Sequence, residues 1–243
     1  MSSLTAETIT IAGAGGDEIE AYLARPQGPQ RRGGMVVIHH IPGYDRATKE
    51  IVRRFAELGC DAVCPNLFHR EAPGADADDA AAAARAKGGV PDDRLVGDVG
   101  GAAAYLRGLD TSNGKAGVIG YCSGGRQAVL AACSLPLDAA VDCYGGYVVR
   151  DSPDDARTSL VPKLPDLSCP LLGLFGKDDQ RPSPAEVEQL ATLLRQQGKQ
   201  FEFHSYDGAG HAFFAVDRPS YRVAAANDGW ERIASFYGTY LGS

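Results

Sequence analysis

Residues 115–125 read K-A-G-V-I-G-Y-C-S-G-G and constrain the fold more than any other stretch of the chain. A short apolar run, 116–119, ends in Gly120-Tyr121-Cys122-Ser123-Gly124, and a helix-forming run begins at Arg126. Strand, sharp turn and helix, with a glycine two residues either side of a central nucleophile, is the nucleophile-elbow pattern. The turn forces its central residue into a strained backbone conformation, and the glycines let strand and helix approach without Cβ clashes. The amide that follows, that of Ser123, then points to where an oxyanion would form. The central residue here is a cysteine. Shifting the frame to Ser123 would put Tyr121 where a small residue is needed, so Cys122 is preferred. The bland reading of the same pentapeptide is a small buried cysteine at the end of a core strand.

The rest of the chain alternates strands and helices. Residues 7–12 and 18–25 alternate apolar with polar around a glycine-rich turn at 13–17, a hairpin signal. Residues 35–39 (M-V-V-I-H) are a continuous apolar run, which predicts a strand buried on both faces and therefore parallel. A turn at 40–43 leads into a helix whose face carries Ile51, Val52, Phe55 and Leu58, with Gly59 as its stop. Residues 61–64 give the next strand, completing a βαβ unit. Residues 66–90 form an excursion with a short Ala-rich helix; 71–90 are either a lid over the site or a surface insertion. A helix starts after Pro91. Beyond the elbow, strands are predicted at 137–144, 170–175 and 200–206, and helices at 184–197 and 221–241. This is one α/β domain spanning 1–243, with a mostly parallel sheet of about eight strands and helices on both faces.

Composition excludes several classes of function. A net charge of -7 offers no surface for nucleic acid or an anionic membrane. No apolar run is long enough to span a bilayer. The N-terminal residues lack the basic and apolar regions of a signal peptide. Six cysteines lie mostly inside apolar runs, as reduced core thiols of a cytoplasmic protein do. Cys60-x3-Cys64 has no second pair of metal-ligand spacing, so no metal is expected. The oligomeric expectation is a monomer or a small homo-oligomer.

Three loops, each directly after a predicted parallel strand, carry Cys122, then Asp178 and Asp179, then His211. Nucleophile, acid, histidine is the chain order of α/β-hydrolases, and the C-terminal ends of parallel strands gather on one sheet edge. A thiolate attacks, an imidazole moves the proton, and a carboxylate fixes the imidazole. Asp179 is preferred to Asp178, because Gly176-x-x-Asp179 leaves the loop room to turn back toward His211. His204 alternates with Phe201 and Phe203 in a strand and reads as a solvent-facing residue. His39, His40 and His69 are secondary candidates near the same edge. The second oxyanion amide is expected from Ile41, since Pro42 has no N–H.

These residues together resemble the dienelactone hydrolase family of α/β-hydrolases. The matching motifs are Ile41-Pro42-Gly43, A-V-C-P-N-L at 62–67, S-N-G-K at 112–115, the elbow itself, A-V-D-C-Y-G-G at 140–146, Gly176-x-x-Asp179 and A-G-H-A-F at 209–213. They span residues 20–241. The resemblance implies a cofactor-free cysteine hydrolase acting on a small-molecule ester or lactone, with a triad of Cys122, Asp179 and His211 and oxyanion amides from Ile41 and Ser123. Candidates for binding substrate or activating the thiol are His40, Arg85, Tyr144, Phe213 and Arg218. Two positions depart from the family. His40 stands where the namesake enzymes carry a glutamate that takes part in thiol activation, and Ala215 stands where they carry a substrate-binding arginine. The departures place the chain in a divergent branch. A non-catalytic ligand-binding or thiol-sensing protein on the same fold is the alternative reading.

Overall fold

The apolar runs of the sequence become the central strands of one sheet. The computed structural model describes residues 3–153 and 157–242. Its strands are β1 (Leu4–Ala12), β2 (Glu18–Pro26), β3 (Arg32–Ile38), β4 (Asp61–Pro65), β5 (Ser112–Tyr121), β6 (Ala139–Cys143), β7 (Leu171–Gly176) and β8 (Phe201–Tyr206). They lie side by side in the order β1-β2-β4-β3-β5-β6-β7-β8. The β1–β2 hairpin and the β2–β4 pair are antiparallel. Every other neighbouring pair is parallel. The helices are α1 (Arg46–Glu57), α2 (Ala77–Ala86), α3 (Asp92–Arg107), α4 (Ser123–Ser134), α5 (Pro184–Gln196) and α6 (Val223–Leu241).

A strand buried on both faces needs apolar residues at consecutive positions, and β3 shows why. Met35 and Val37 enter one core together with Ala62, Cys64, Ile119 and Tyr121, covered by α1 and α6 through Phe55, Trp230, Ile233 and Tyr237. Val36 and Ile38 enter the other core with Val63 and Val118, covered by α3, α4 and α5 through Leu95, Val99, Val129, Leu190 and Leu194. Each such side chain contributes roughly 1.5–3 kcal/mol by leaving water.

Two helix expectations change in detail. In α1 the buried face is Thr48, Val52, Phe55 and Ala56, while Leu58 closes the helix and is exposed. Asp45 caps its start by accepting from the Thr48 N–H at 2.8 Å. Helix α4 begins at Ser123 rather than at Arg126. Gly124 and Gly125 are helical here because their neighbours leave no room for a side chain. A Cβ on Gly124 would lie 2.5 Å from the Ile38 carbonyl oxygen, and one on Gly125 would lie 2.3 Å from Asp142 Oδ1. Among the described residues no helix is long and apolar enough to cross a membrane.

Candidate active site

Strand β5 ends at Tyr121 and α4 begins at Ser123, so the whole reversal falls on Cys122. Its φ of 57° and ψ of −120° lie in a region that non-glycine residues occupy at a cost of order 1–3 kcal/mol. The surroundings hold it there. The Cys122 N–H donates to the Cys143 carbonyl at 3.0 Å. A Cβ on Gly120 would sit 1.8 Å from the Gly124 carbonyl oxygen, so only glycine lets the helix start this close to the strand. Cys122 is half-buried, whereas Cys60, Cys64, Cys133, Cys143 and Cys169 are buried.

Strands β7 and β8 run parallel to β5 and β6, so their following loops emerge at the same edge. Those loops are zipped together. The Lys177 N–H donates to the Tyr206 carbonyl at 3.0 Å and the Asp178 N–H to the Ala209 carbonyl at 2.9 Å. This turn leaves Asp178 exposed and carries Asp179 inward, to 2% exposure. Asp179 Oδ2 accepts from His211 Nδ1 at 2.8 Å, and Oδ1 accepts from the Arg181 N–H at 2.8 Å. With Nδ1 engaged, the hydrogen bond between His211 and Cys122 falls to Nε2. The Tyr144 ring packs edge-on against His211 with centroids 5.1 Å apart.

The electrostatics of the pair follow from this geometry. Burial alone would push the Cys122 thiol up. The hydrogen bond from His211 and its charge, the Ser123 N–H and the charge of Arg157 outweigh burial, and the thiol is held below its ordinary value. Burial alone would lower His211, but bonds to Asp179 and Cys122 raise it to about 10. Both shifts run in the direction that favours a proton on the imidazole and a thiolate on the sulfur.

The remaining candidates divide around two cavities that share Ile41, a residue 37% exposed. One, of about 210 Å³, is lined by Cys122, His40, Tyr144, Phe214, Ala215 and Arg218, among others. The second, of about 460 Å³, is lined by Ser123 and by the excursion, including Ala81, Ala84, Arg85 and Val90. The 71–90 segment thus walls a cavity beside the elbow instead of lying on a remote surface. His40 Nε2 pairs with Asp45 Oδ2 at 3.2 Å, so its imidazole is tied to the α1 cap. Phe213 is 0% exposed and packs behind Tyr144; the adjacent Phe214 lines the cavity in its place. The backbone turns at Ala212, whose φ is positive, and this sets which of the two phenylalanines faces the cavity.

His39 is a structural tie. It accepts from the Leu67 N–H at Nε2 (3.2 Å), so its proton sits on Nδ1 and donates to the His40 carbonyl at 2.9 Å. Burial lowers it to about 4, which keeps it neutral. His204 pairs with Glu202 at the far edge of the sheet. Sequence reasoning missed Arg157 and Gln127. Arg157 arrives from a loop without local signal. Gln127 sits one helical turn after Ser123, a position that becomes legible once α4 is known to start at Ser123.

Comparison with known proteins gives the same picture over the whole chain. The model of the dienelactone hydrolase family matches residues 19–241. A Methylorubrum extorquens protein named "Putative carboxymethylenebutenolidase" is 33% identical over 229 residues, covering 91% of this chain and 77% of that protein. The carboxymethylenebutenolidase of Pseudomonas putida is 31% identical over 207 residues, covering 83% and 84%. The crystal structure titled "Putative Dienelactone Hydrolase" from Klebsiella pneumoniae superposes with a TM-score of 0.86 at 30% identity, covering 98% of this chain and all of that one. With an elbow, a mostly parallel eight-stranded sheet and these relatives, the chain belongs to the dienelactone hydrolase family of α/β-hydrolases.

Proposed function

We propose that this protein hydrolyses a carboxylic ester or lactone through an acyl-enzyme on Cys122, with His211 and Asp179 completing the triad. The observation that supports it most directly is His211 bridging the buried Asp179 and the strained, cavity-lining Cys122. The Cys122 thiolate attacks the carbonyl carbon. The N–H groups of Ser123 and Ile41 receive the developing oxyanion. As the tetrahedral intermediate collapses, the C–O bond breaks and His211 gives its Nε2 proton to the leaving oxygen. Water then attacks the thioester while His211 takes one of its protons. The C–S bond breaks, the carboxylic acid leaves, and the thiolate–imidazolium pair is restored. Asp179 keeps the ring proton on Nδ1 and stabilises the imidazolium throughout. A thiolate nucleophile favours esters with good leaving groups, such as enol esters and lactones, because these form thioesters readily.

The relatives named carboxymethylenebutenolidase support the same bond class. Acyl-enzyme trapping tests the reading. Wild-type protein mixed with p-nitrophenyl acetate gives a stoichiometric burst and one acetyl group on Cys122 by peptide mass. Cys122→Ala loses both, and His211→Ala slows the burst. A well-folded wild type with no burst and no label on Cys122 would overturn the mechanism and favour a ligand-binding role.

A further inference from the structure

Cys122 lines the smaller cavity together with Ile41. An ester carbonyl held at the thiol therefore sends one of its two substituents into this space. Four aromatic rings wall the same cavity: Tyr121, Tyr144, Phe214 and Trp230. They come from four separate places in the fold. Tyr121 ends β5, Tyr144 follows β6, Phe214 lies in the loop after β8 and Trp230 is in α6.

The rings hold one another. Phe214 meets Tyr121 edge-on with centroids 5.7 Å apart, and meets Trp230 edge-on at 6.0 Å. Tyr121 and Tyr144 are tilted at 6.3 Å. The Arg54 guanidinium is stacked over Trp230 at 3.9 Å. All four aromatic residues are buried, so none swings aside without giving up these contacts. The charged residues of the lining, Glu50, Arg54, Asp217 and Arg218, are exposed and carry two charges of each sign. They stand at the mouth, and the aromatic rings form the floor.

Size narrows the occupant. An apolar cavity of about 150 Å³ takes up one benzene molecule. The 210 Å³ here holds a single ring with the atoms that join it to the carbonyl. Drug-sized ligands need roughly 300 Å³ or more. An aromatic occupant sets its edge against the faces of such walls and gains beyond its buried area, whereas a saturated ring gains by area alone.

Resting on the ester-hydrolase reading above, we propose that the smaller cavity is an aryl subsite. The preferred substrates carry one aromatic ring beside the scissile ester, and Phe214 and Trp230 select it over an aliphatic group of similar size.

Two pairs of esters test this. The benzoate and cyclohexanecarboxylate of p-nitrophenol place the ring on the acyl side with one shared leaving group. Phenyl acetate and 1-cyclohexenyl acetate place it on the leaving side with one shared acyl group. The aromatic-to-aliphatic ratio of kcat/KM is measured for wild type, Phe214→Leu and Trp230→Leu, with thermal melts to check folding. It is referred to the same ratio for hydroxide hydrolysis, so wild type alone already reports a preference. In one pair, wild type favours the aromatic member more than hydroxide does. That preference falls by about fivefold in each folded variant, as expected for the loss of one ring–ring contact. The responding pair identifies which substituent enters the cavity. A wild type with no such preference in either pair, or folded variants that leave both ratios unchanged, overturns the aryl assignment and leaves the hydrolase reading intact. Acylation of Cys122 by p-nitrophenyl acetate without turnover of either aromatic ester does the same. If none of these esters is turned over and intact mass shows no acyl group on Cys122, the hydrolase reading fails and takes this assignment with it.

Discussion

Replacing Asp179 by Asn tests the triad with the smallest change in shape. The carboxylate has two bonded oxygens: Oδ1 accepts the Arg181 N–H and Oδ2 accepts His211 Nδ1, each at 2.8 Å. The Arg181 N–H is a backbone donor with a fixed direction, so it claims the single amide oxygen of the asparagine. The amide nitrogen is left facing His211 Nδ1 and donates to it. Nδ1 becomes an acceptor, the ring proton moves to Nε2, and the nitrogen that faces Cys122 can no longer take the thiol proton. The lost attraction is large. Carboxylate and imidazolium charges roughly 4 Å apart, at an effective dielectric constant near 20, interact by about 4 kcal/mol. That is about 10³ in the population of the thiolate–imidazolium state. The same carboxylate-to-amide change in a serine triad costs about 10⁴ in turnover. Asp179→Asn should therefore slow the p-nitrophenyl acetate burst by about 10³ to 10⁴, measured by stopped-flow release of p-nitrophenolate. Asp178→Asn is the control, because Asp178 is exposed and its backbone N–H, not its side chain, ties the loop. Its burst should stay within about twofold of wild type. A normally melting Asp179→Asn protein whose burst lies within about tenfold of wild type would refute the reasoning. So would a larger loss in Asp178→Asn.

Two further predictions concern protons. His211 holds the Cys122 thiol below its ordinary value, so the rate of alkylation by iodoacetamide should fall, on acidification, with a midpoint below the free-thiol value of about 8.5. In His211→Ala the burial stays and the imidazolium is gone, so the midpoint should rise above 8.5; a lower midpoint in that variant would contradict the assignment. The second concerns Asp142, which is fully buried on β6 with Oδ1 accepting the Gly145 N–H at 2.7 Å and Oδ2 unpartnered. Burial raises its carboxyl from 3.8 to about 7. A raised folded value means the contribution to stability is fully present below about pH 4 and is lost as pH climbs through 7. Asp142→Asn keeps the acceptor and cannot ionise. Its stability advantage over wild type should grow from near zero at pH 4 to a ceiling of about 4 kcal/mol at pH 8, read by urea unfolding; equal differences at both pH values would exclude this account.

The elbow was legible because its requirements are local. Two glycines, a small residue and an apolar strand must sit at fixed spacing, and no distant residue can substitute for them. The parallel strands were legible for a related reason, since β3 needs apolar side chains on both faces and shows them as one run. The inward turn of Asp179, with Asp178 left outside, goes with the close approach at Gly176, where a Cβ would lie 2.3 Å from the Ala209 carbonyl oxygen. The features that were not legible depend on contacts between segments far apart in sequence. Leu58 fits the α1 stripe by spacing, yet the helix ends before it can be buried. Phe213 and Phe214 are adjacent aromatics, and only the Ala212 backbone turn determines that the second lines the cavity.

The same distinction explains the two departures from the family pattern. His40 cannot be read as a replacement activator from its position alone, because its imidazole is held by Asp45, a residue whose capping role belongs to α1. The forces that lower the thiol come from elsewhere: the His211 bond, the first amide of α4 and Arg157. None of these contributions comes from position 40. Ala215 likewise removes a cation from the smaller cavity, where Ile51, Phe214 and Trp230 supply an apolar wall and the Arg54 guanidinium is stacked over Trp230 at 3.9 Å. Arg218 also lines this cavity and is the cation left there to meet a carboxylate. The larger cavity has a polar lining of its own in Gln127, Arg85 and Arg157.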